Sequence, residues 1–156
     1  MNKNKSRAIW IIIVVIILIV LFMLPRWTDG SRQVVGGWHD VDVDCLPSHQ
    51  NAALHIHPSL RITVDGVPEV LPANIGIARS CMAEVHTHDV TGTIHIESVA
   101  AGKTFTLEQF FAVWGKTIER EGYDMAMTVD GAPNAELGNL QLRDHQQIEL
   151  TYKTVN

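Results

Sequence analysis

The sequence predicts an α+β domain, built from a mainly antiparallel β-sheet with one covering helix and preceded by a single transmembrane helix. Three observations support this prediction. Residues 8–24 form an unbroken apolar run. Several later segments alternate apolar and polar residues and end at Asp-Gly or Thr-Gly turn signals. Residues 106–118 instead repeat apolar side chains at helical spacing.

The apolar run has the length and flanking residues of an uncleaved signal anchor. As a helix it would be about 25 Å long, which is the lower end of what crosses a hydrocarbon core. Trp10 and Trp27 lie near its ends, where indole rings favour the membrane interface. Lys3, Lys5 and Arg7 precede it, which predicts a cytoplasmic N-terminus. A cleaved signal peptide is the alternative, but no small-residue cleavage pattern follows the run.

The chain is therefore expected to have four segments. They are a cytoplasmic N-terminus at 1–7, a transmembrane signal anchor at 8–25, a linker at 26–37 and an extracytoplasmic α+β domain at 38–156. After Trp27 the chain carries 8 basic and 17 acidic residues, a formal charge of -9. That charge repels phosphate and argues against a nucleic-acid partner, whereas the anchor makes the membrane an expected one.

The predicted strands lie at 60–64, 85–89, 93–99, 125–129 and 148–152. Strands 85–89 and 93–99 are expected to form a hairpin around a tight Thr91-Gly92 turn.

The predicted helix begins after Thr106, which forms a capping box with Gln109 three residues later. Its apolar stripe extends to Ile118, and Gly122 is placed to end it.

Cys45 and Cys81 are the two cysteines of the chain, 36 positions apart. In an oxidising compartment they are expected to form a disulfide, which would stabilise the fold by about 3–4 kcal/mol in the chain-entropy model. Metal ligation by the thiolates and two inert buried thiols are the alternatives.

Three short patterns place pairs of metal-ligating side chains two positions apart. Side chains at i and i+2 of a strand share a face, so each pair presents two ligands on one side of its strand. The pairs are His55 with His57, His86 with His88, and His95 with Glu97.

The tight hairpin turn would set His88 opposite His95 and His86 opposite Glu97, close enough to share one ion. The predicted metal ligands are thus His86, His88 and His95, with His55 or His57 from a neighbouring strand and Glu97 at the edge. Imidazole and carboxylate ligands suit zinc or copper best, and also iron or manganese. A hydrogen-bonded histidine network and a pH-sensitive surface are the alternatives.

Four stretches of the chain resemble an uncharacterised family of small extracytoplasmic domains tethered by one N-terminal helix. They read HIHPSLRITVDG and LPANIGI, then C-x4-HTHD-x-TG-x-IHIE followed by FTLEQFF. The resemblance implies a shared fold and site without naming a reaction. The residues it places in one signature are His55, His57, Cys81, His86, His88, Asp89, His95 and Glu97.

Three functions remain open on the sequence. The favoured one is a membrane-tethered module that binds copper or zinc for storage, delivery or sensing. The second is a structural or accessory subunit of a membrane protein complex, in which the histidines make hydrogen bonds. The third is a metal-dependent enzyme, which would need an open coordination position and a general base, for which Asp89 or Glu84 could serve.

Overall fold

The computed structural model describes residues 13–14, 37–49 and 51–155, and the chain divides into two units at residues 1–30 and 31–156. In the first unit Ile13 and Val14 are helical, and the rest of the predicted anchor lies outside the described residues. Among the described residues, no helix combines the length and the apolar character needed to cross a bilayer.

The second unit contains ten strands, an eight-residue α-helix and a 3-10 helix at Leu137–Asn139 in its described part, and residues 37–39 are also helical, which is an α+β architecture. The strands are β1 (Cys45–Leu46), β2 (Leu54–Ile56), β3 (Ser59–Val64), β4 (Val67–Glu69), β5 (Met82–Ala83), β6 (Val85–His86), β7 (His95–Ser98), β8 (Tyr123–Val129), β9 (Ala132–Asn134) and β10 (Gln147–Thr154). Helix α1 is Leu107–Trp114.

The larger sheet has the order β4-β3-β10-β8-β9 and carries much of the core. Its central strand β10 buries Ile148, Leu150 and Tyr152 on one face, as the alternating sequence predicts, while Glu149 is exposed. The sheet is mostly antiparallel, but β10 pairs with β3 in parallel. The predicted α+β architecture with a mainly antiparallel sheet is therefore confirmed in its coarse form, and the parallel pair β10–β3 makes the sheet mixed.

Helix α1 begins at the predicted capping box but is shorter than predicted. Thr106 accepts a hydrogen bond from the backbone N–H of Gln109, and the Gln109 side chain accepts one from the backbone N–H of Thr106. The helix ends at Gly115, whose left-handed backbone (φ 74°) lets its N–H return to the Ala112 carbonyl. The predicted end at Gly122 is wrong, because Gly115 already provides this cap.

A smaller sheet of three strands has the order β2-β7-β6, with both pairs antiparallel. Ile96 of β7 is fully buried, so the side chains on either side of it in sequence point to the opposite face. That second face carries most of the histidines.

A two-stranded sheet joins the chain around Cys45 to the start of this histidine-bearing region. Strand β1 pairs with β5, and the disulfide Cys45–Cys81 closes beside that pairing with a Cα–Cα distance of 5.7 Å. The predicted disulfide is confirmed. The buried Glu84 carboxylate adds a further tie, since it accepts hydrogen bonds from the Asp44 N–H at 2.9 Å and from Lys103 Nζ at 2.7 Å.

We expect the double variant Cys45→Ser/Cys81→Ser to lose about 3–4 kcal/mol of unfolding free energy, because its unfolded chain regains the freedom of a 36-residue loop. Chemical denaturation of wild type and variant measures the difference. Alkylation of unfolded wild-type protein without reductant, followed by mass spectrometry, should label neither thiol. Two labelled cysteines would contradict the disulfide.

Candidate metal centre

Four ligating residues occupy neighbouring positions on one face of the three-stranded sheet. His95 and Glu97 lie on the central strand β7. His86 of β6 pairs with His95, and His55 of β2 pairs with Glu97. The sheet therefore brings three imidazoles and a carboxylate together from three strands.

The pairing corrects the predicted hairpin register. His86 lies opposite His95, not opposite Glu97, and His88 has no strand partner. The shift is two residues, so the side chains keep their face and the predicted ligands still meet.

The register differs because the hairpin loop is longer than two residues. Asp89 accepts hydrogen bonds from the backbone N–H and the hydroxyl of Thr91, which closes a local turn. The next residue, Gly92, has φ +86°, and its carbonyl accepts from the Leu60 N–H at 2.8 Å. A Cβ there would stand 2.5 Å from the Leu60 carbonyl oxygen, so glycine is required where the loop packs on β3.

His57 and His88 lie just beyond the ends of the two outer strands, one residue after β2 and two residues after β6, on the side of the sheet that carries the other ligands. The backbone N–H of His57 donates to Asp144 Oδ1 at 2.8 Å. His88 follows Thr87, whose buried hydroxyl donates to the Pro72 carbonyl and accepts from the Ile75 N–H. Each histidine stays beside its partner two positions earlier, since the ring centroids are 4.5 Å apart for His57 and His55 and 4.7 Å apart for His88 and His86.

His49 joins the group from the loop after β1, and it was missed by the sequence analysis. Its Nδ1 lies 2.9 Å from both carboxylate oxygens of Glu97. No pattern of alternate residues marks it. Its position in the sequence was the available signal. His49 lies four residues after Cys45, and the disulfide brings this loop to Cys81, which lies five residues before His86.

We call these seven side chains the His–Glu cluster. Its members are His49, His55, His57, His86, His88, His95 and Glu97. Neighbouring imidazole rings in it stand 4.5–5.9 Å apart between centroids. His49, His55 and His88 are exposed, whereas His86 and Glu97 are buried. The cluster is thus anchored in the protein and open to solvent on one side.

Glu97 is the charged centre of the cluster. Its side chain is 2% exposed, and besides His49 it contacts His55 Nε2 at 3.2 Å from Oε1. A buried carboxylate is costly unless a positive charge or several hydrogen bonds compensate it. Imidazolium groups or bound cations are the compensation that this arrangement offers.

His86 is oriented as metal-ligating histidines usually are. Its Nδ1 lies 2.8 Å from the Ala83 carbonyl, which can only accept, so Nδ1 carries the proton. Nε2 is then left with a lone pair directed into the cluster, 3.2 Å from His88 Nε2.

Protonation of two cluster histidines is disfavoured. Burial, reinforced by His88 and His95, lowers the pKa of His86 to about 4, although the Ala83 carbonyl and Glu97 act in the other direction. Burial also lowers the pKa of His95, with further contributions from His88 and His57. Both imidazoles are therefore neutral at pH 7 and available as ligands.

Other residues with ligating side chains lie outside the cluster. Cys81 is committed to the disulfide, and the Asp89 carboxylate is committed to Thr91. His39 pairs with Asp44 and His145 with Asp144, both at the surface. These two histidines serve as natural controls for the cluster.

Three ligand sets within the cluster have the spacing to hold a metal ion, with ligating atoms within 4.8 Å of one another. They are His49 with His86 and His88, His55 with His57 and His95, and His86 with His95 and Glu97. Each supplies three protein ligands, which is the number that an accessible zinc or copper site uses.

Comparisons of the chain with models of protein families, with curated proteins and with solved structures find no match.

We expect the unfolding free energy of chelator-treated protein to decrease as the pH is lowered, and to decrease more than that of the His86→Asn variant. The Asn amide of this variant can still donate a hydrogen bond to the Ala83 carbonyl. The folded pKa of His86 lies below the unfolded value of 6.5, so the unfolded chain takes up the proton first as the pH falls. The contribution of neutral His86 to the unfolding free energy is complete above pH 6.5 and is lost as the pH falls toward 4. Denaturant titrations of both proteins at pH 7 and pH 4 should show that the wild type loses about 3 kcal/mol more unfolding free energy than the variant between these pH values. An unchanged difference would contradict the low pKa.

Proposed function

We propose that this chain is a membrane-tethered extracytoplasmic domain that binds copper or zinc through the His–Glu cluster, for storage, delivery or sensing of the metal. The observation that carries the proposal is the orientation of His86. Its Nδ1 is held by the Ala83 carbonyl, and its Nε2 meets a second imidazole nitrogen at 3.2 Å. A ligand backed by a carbonyl in this way has its tautomer fixed for metal binding.

The charge balance of the cluster also supports a bound cation. Glu97 is buried among histidines, and the lowered pKa values of His86 and His95 mean that these two do not supply a compensating positive charge at pH 7. A divalent ion bound to neutral imidazoles would compensate the carboxylate without protonating them.

The ligand types favour copper or zinc. Both thiols of the chain are in the disulfide, so the cluster offers nitrogen and oxygen ligands. Imidazole-rich sites suit Zn²⁺ and Cu²⁺, and Cu²⁺ has the highest affinity among divalent first-row ions for a given site.

The extracytoplasmic location rests on the sequence and on the disulfide. The apolar run 8–24 follows three basic residues, which favours a cytoplasmic N-terminus. The Cys45–Cys81 bond fits an oxidising compartment, where such bonds persist.

A metal-dependent enzyme is the second candidate, and one feature favours it. A cavity of about 460 Å³ lies beside the cluster, with His49 and His88 in its wall together with Asn74 and Arg79. A small substrate there would lie next to two candidate ligands. Catalysis would require a coordination position left open for water or substrate, which storage does not.

The full chain, purified without a histidine tag and equilibrated with Zn²⁺, should retain at least one ion per chain after desalting, as measured by elemental analysis. The double variant His88→Ala/His95→Ala should retain no ion after desalting, because it removes a direct ligand from each of the three ligand sets. The matched control His39→Ala/His145→Ala removes two histidines outside the cluster and should bind as wild type does. No retained metal in folded wild-type protein, with Zn²⁺ or with Cu²⁺, would reject the proposal and favour the accessory-subunit alternative.

Protease added to cells whose outer envelope has been permeabilised should cleave the domain at 38–156, whether it is periplasmic or at the cell surface, since the basic residues before the apolar run favour an extracytoplasmic far side. Immunoblotting with an antibody against the C-terminus measures the cleavage, and a cytoplasmic protein serves as the control. Protection until the cells are lysed would reverse the topology.

A further inference from the structure

The six histidines of the His–Glu cluster divide into two triads that share no member. We call His49, His86 and His88 the first triad, and His55, His57 and His95 the second triad. Within each triad one ligating atom per residue lies within 4.8 Å of the other two. Each triad alone therefore supplies the three imidazoles that one metal ion needs.

The two triads are adjacent rather than separate surface sites. The rings of His88 and His95, one from each triad, are 4.5 Å apart between centroids. The rings of His86 and His95 stack at 5.6 Å, since these residues pair across β6 and β7. Ions held by the two triads would be near neighbours.

Glu97 contacts one member of each triad. Its Oε1 lies 2.9 Å from His49 Nδ1 of the first triad and 3.2 Å from His55 Nε2 of the second. The carboxylate is buried and lies on β7, so the sheet fixes its position. A carboxylate has two oxygens and can therefore bridge two cations, which lowers the repulsion between them.

We propose that the His–Glu cluster binds two transition-metal ions, one in each triad, with the Glu97 carboxylate bridging them. This inference rests on the proposed metal-binding function and specifies its stoichiometry and geometry. The rival arrangement is a single ion held by His86, His95 and Glu97, the third ligand set of the cluster. That set takes one histidine from each triad, so the two arrangements exclude each other.

Counting ions in the full chain separates these arrangements. Wild-type protein saturated with Zn²⁺ and desalted should retain two ions per chain by elemental analysis. His88→Ala, in the first triad, and His57→Ala, in the second, should each retain one, whereas His88→Ala/His95→Ala, which removes a member of all three ligand sets, should retain none. The control variants His39→Ala and His145→Ala should each retain two. Circular dichroism of every metal-free variant checks that it is folded.

The outcomes separate the two proposals. One ion in the wild type overturns the two-ion proposal and leaves the proposed function standing, and its retention in both single variants favours the rival ligand set. No ion in the wild type overturns both. Two ions in the wild type and two in either single variant would overturn the assignment of that histidine's triad.

The bridge is tested with Cu²⁺ and electron paramagnetic resonance. Two Cu²⁺ ions sharing a carboxylate should give a spin-coupled spectrum, whereas His57→Ala loaded with one ion should give the spectrum of an isolated Cu²⁺. Glu97→Gln keeps the side-chain shape and removes the charge, and it should lose the coupled spectrum. Two Cu²⁺ signals without exchange coupling in wild-type protein, or undiminished exchange coupling in Glu97→Gln, would overturn the bridge.

Discussion

The burial of the Glu97 carboxylate on the central strand of the small sheet is the constraint on which the site depends. A charged group in this position needs compensation, and the protein places imidazoles around it from β2, from β6 and from the loop after β1. Because Glu97 lies on the middle strand, its surroundings are set by the pairings on both sides of β7. The cluster is therefore a property of the sheet register rather than of any single loop.

The core and the site use opposite faces of the small sheet. One buried cluster joins α1, the large sheet and the small sheet through side chains such as Phe110, Leu150 and Ile96. The disulfide and the Glu84–Lys103 ion pair instead hold the segment that leads to His49. Substitutions at the exposed histidines should accordingly leave the core packing intact, since these side chains lie outside it.

The metal-free cluster combines groups with opposing electrostatic demands. Glu97 favours a positive charge nearby, whereas adjacent imidazoles disfavour protonation of one another and burial disfavours it at His86. A metal ion satisfies both demands, because it brings positive charge to the carboxylate and accepts lone pairs from neutral imidazoles.

The sequence by itself determined the elements whose signals are local. The alternation in β10, the capping box of α1 and the pairs of ligands two residues apart follow from the side-chain periodicity of strands and helices, and two cysteines leave one possible pairing. The tertiary structure decided the hairpin register, because Gly92 packs on Leu60, a contact between distant residues that no local pattern encodes. It also decided the membership of His49, whose approach to Glu97 depends on the loop that the Cys45–Cys81 bond draws toward β6. Local periodicity fixes which face a side chain takes, whereas the distances between faces depend on long-range packing.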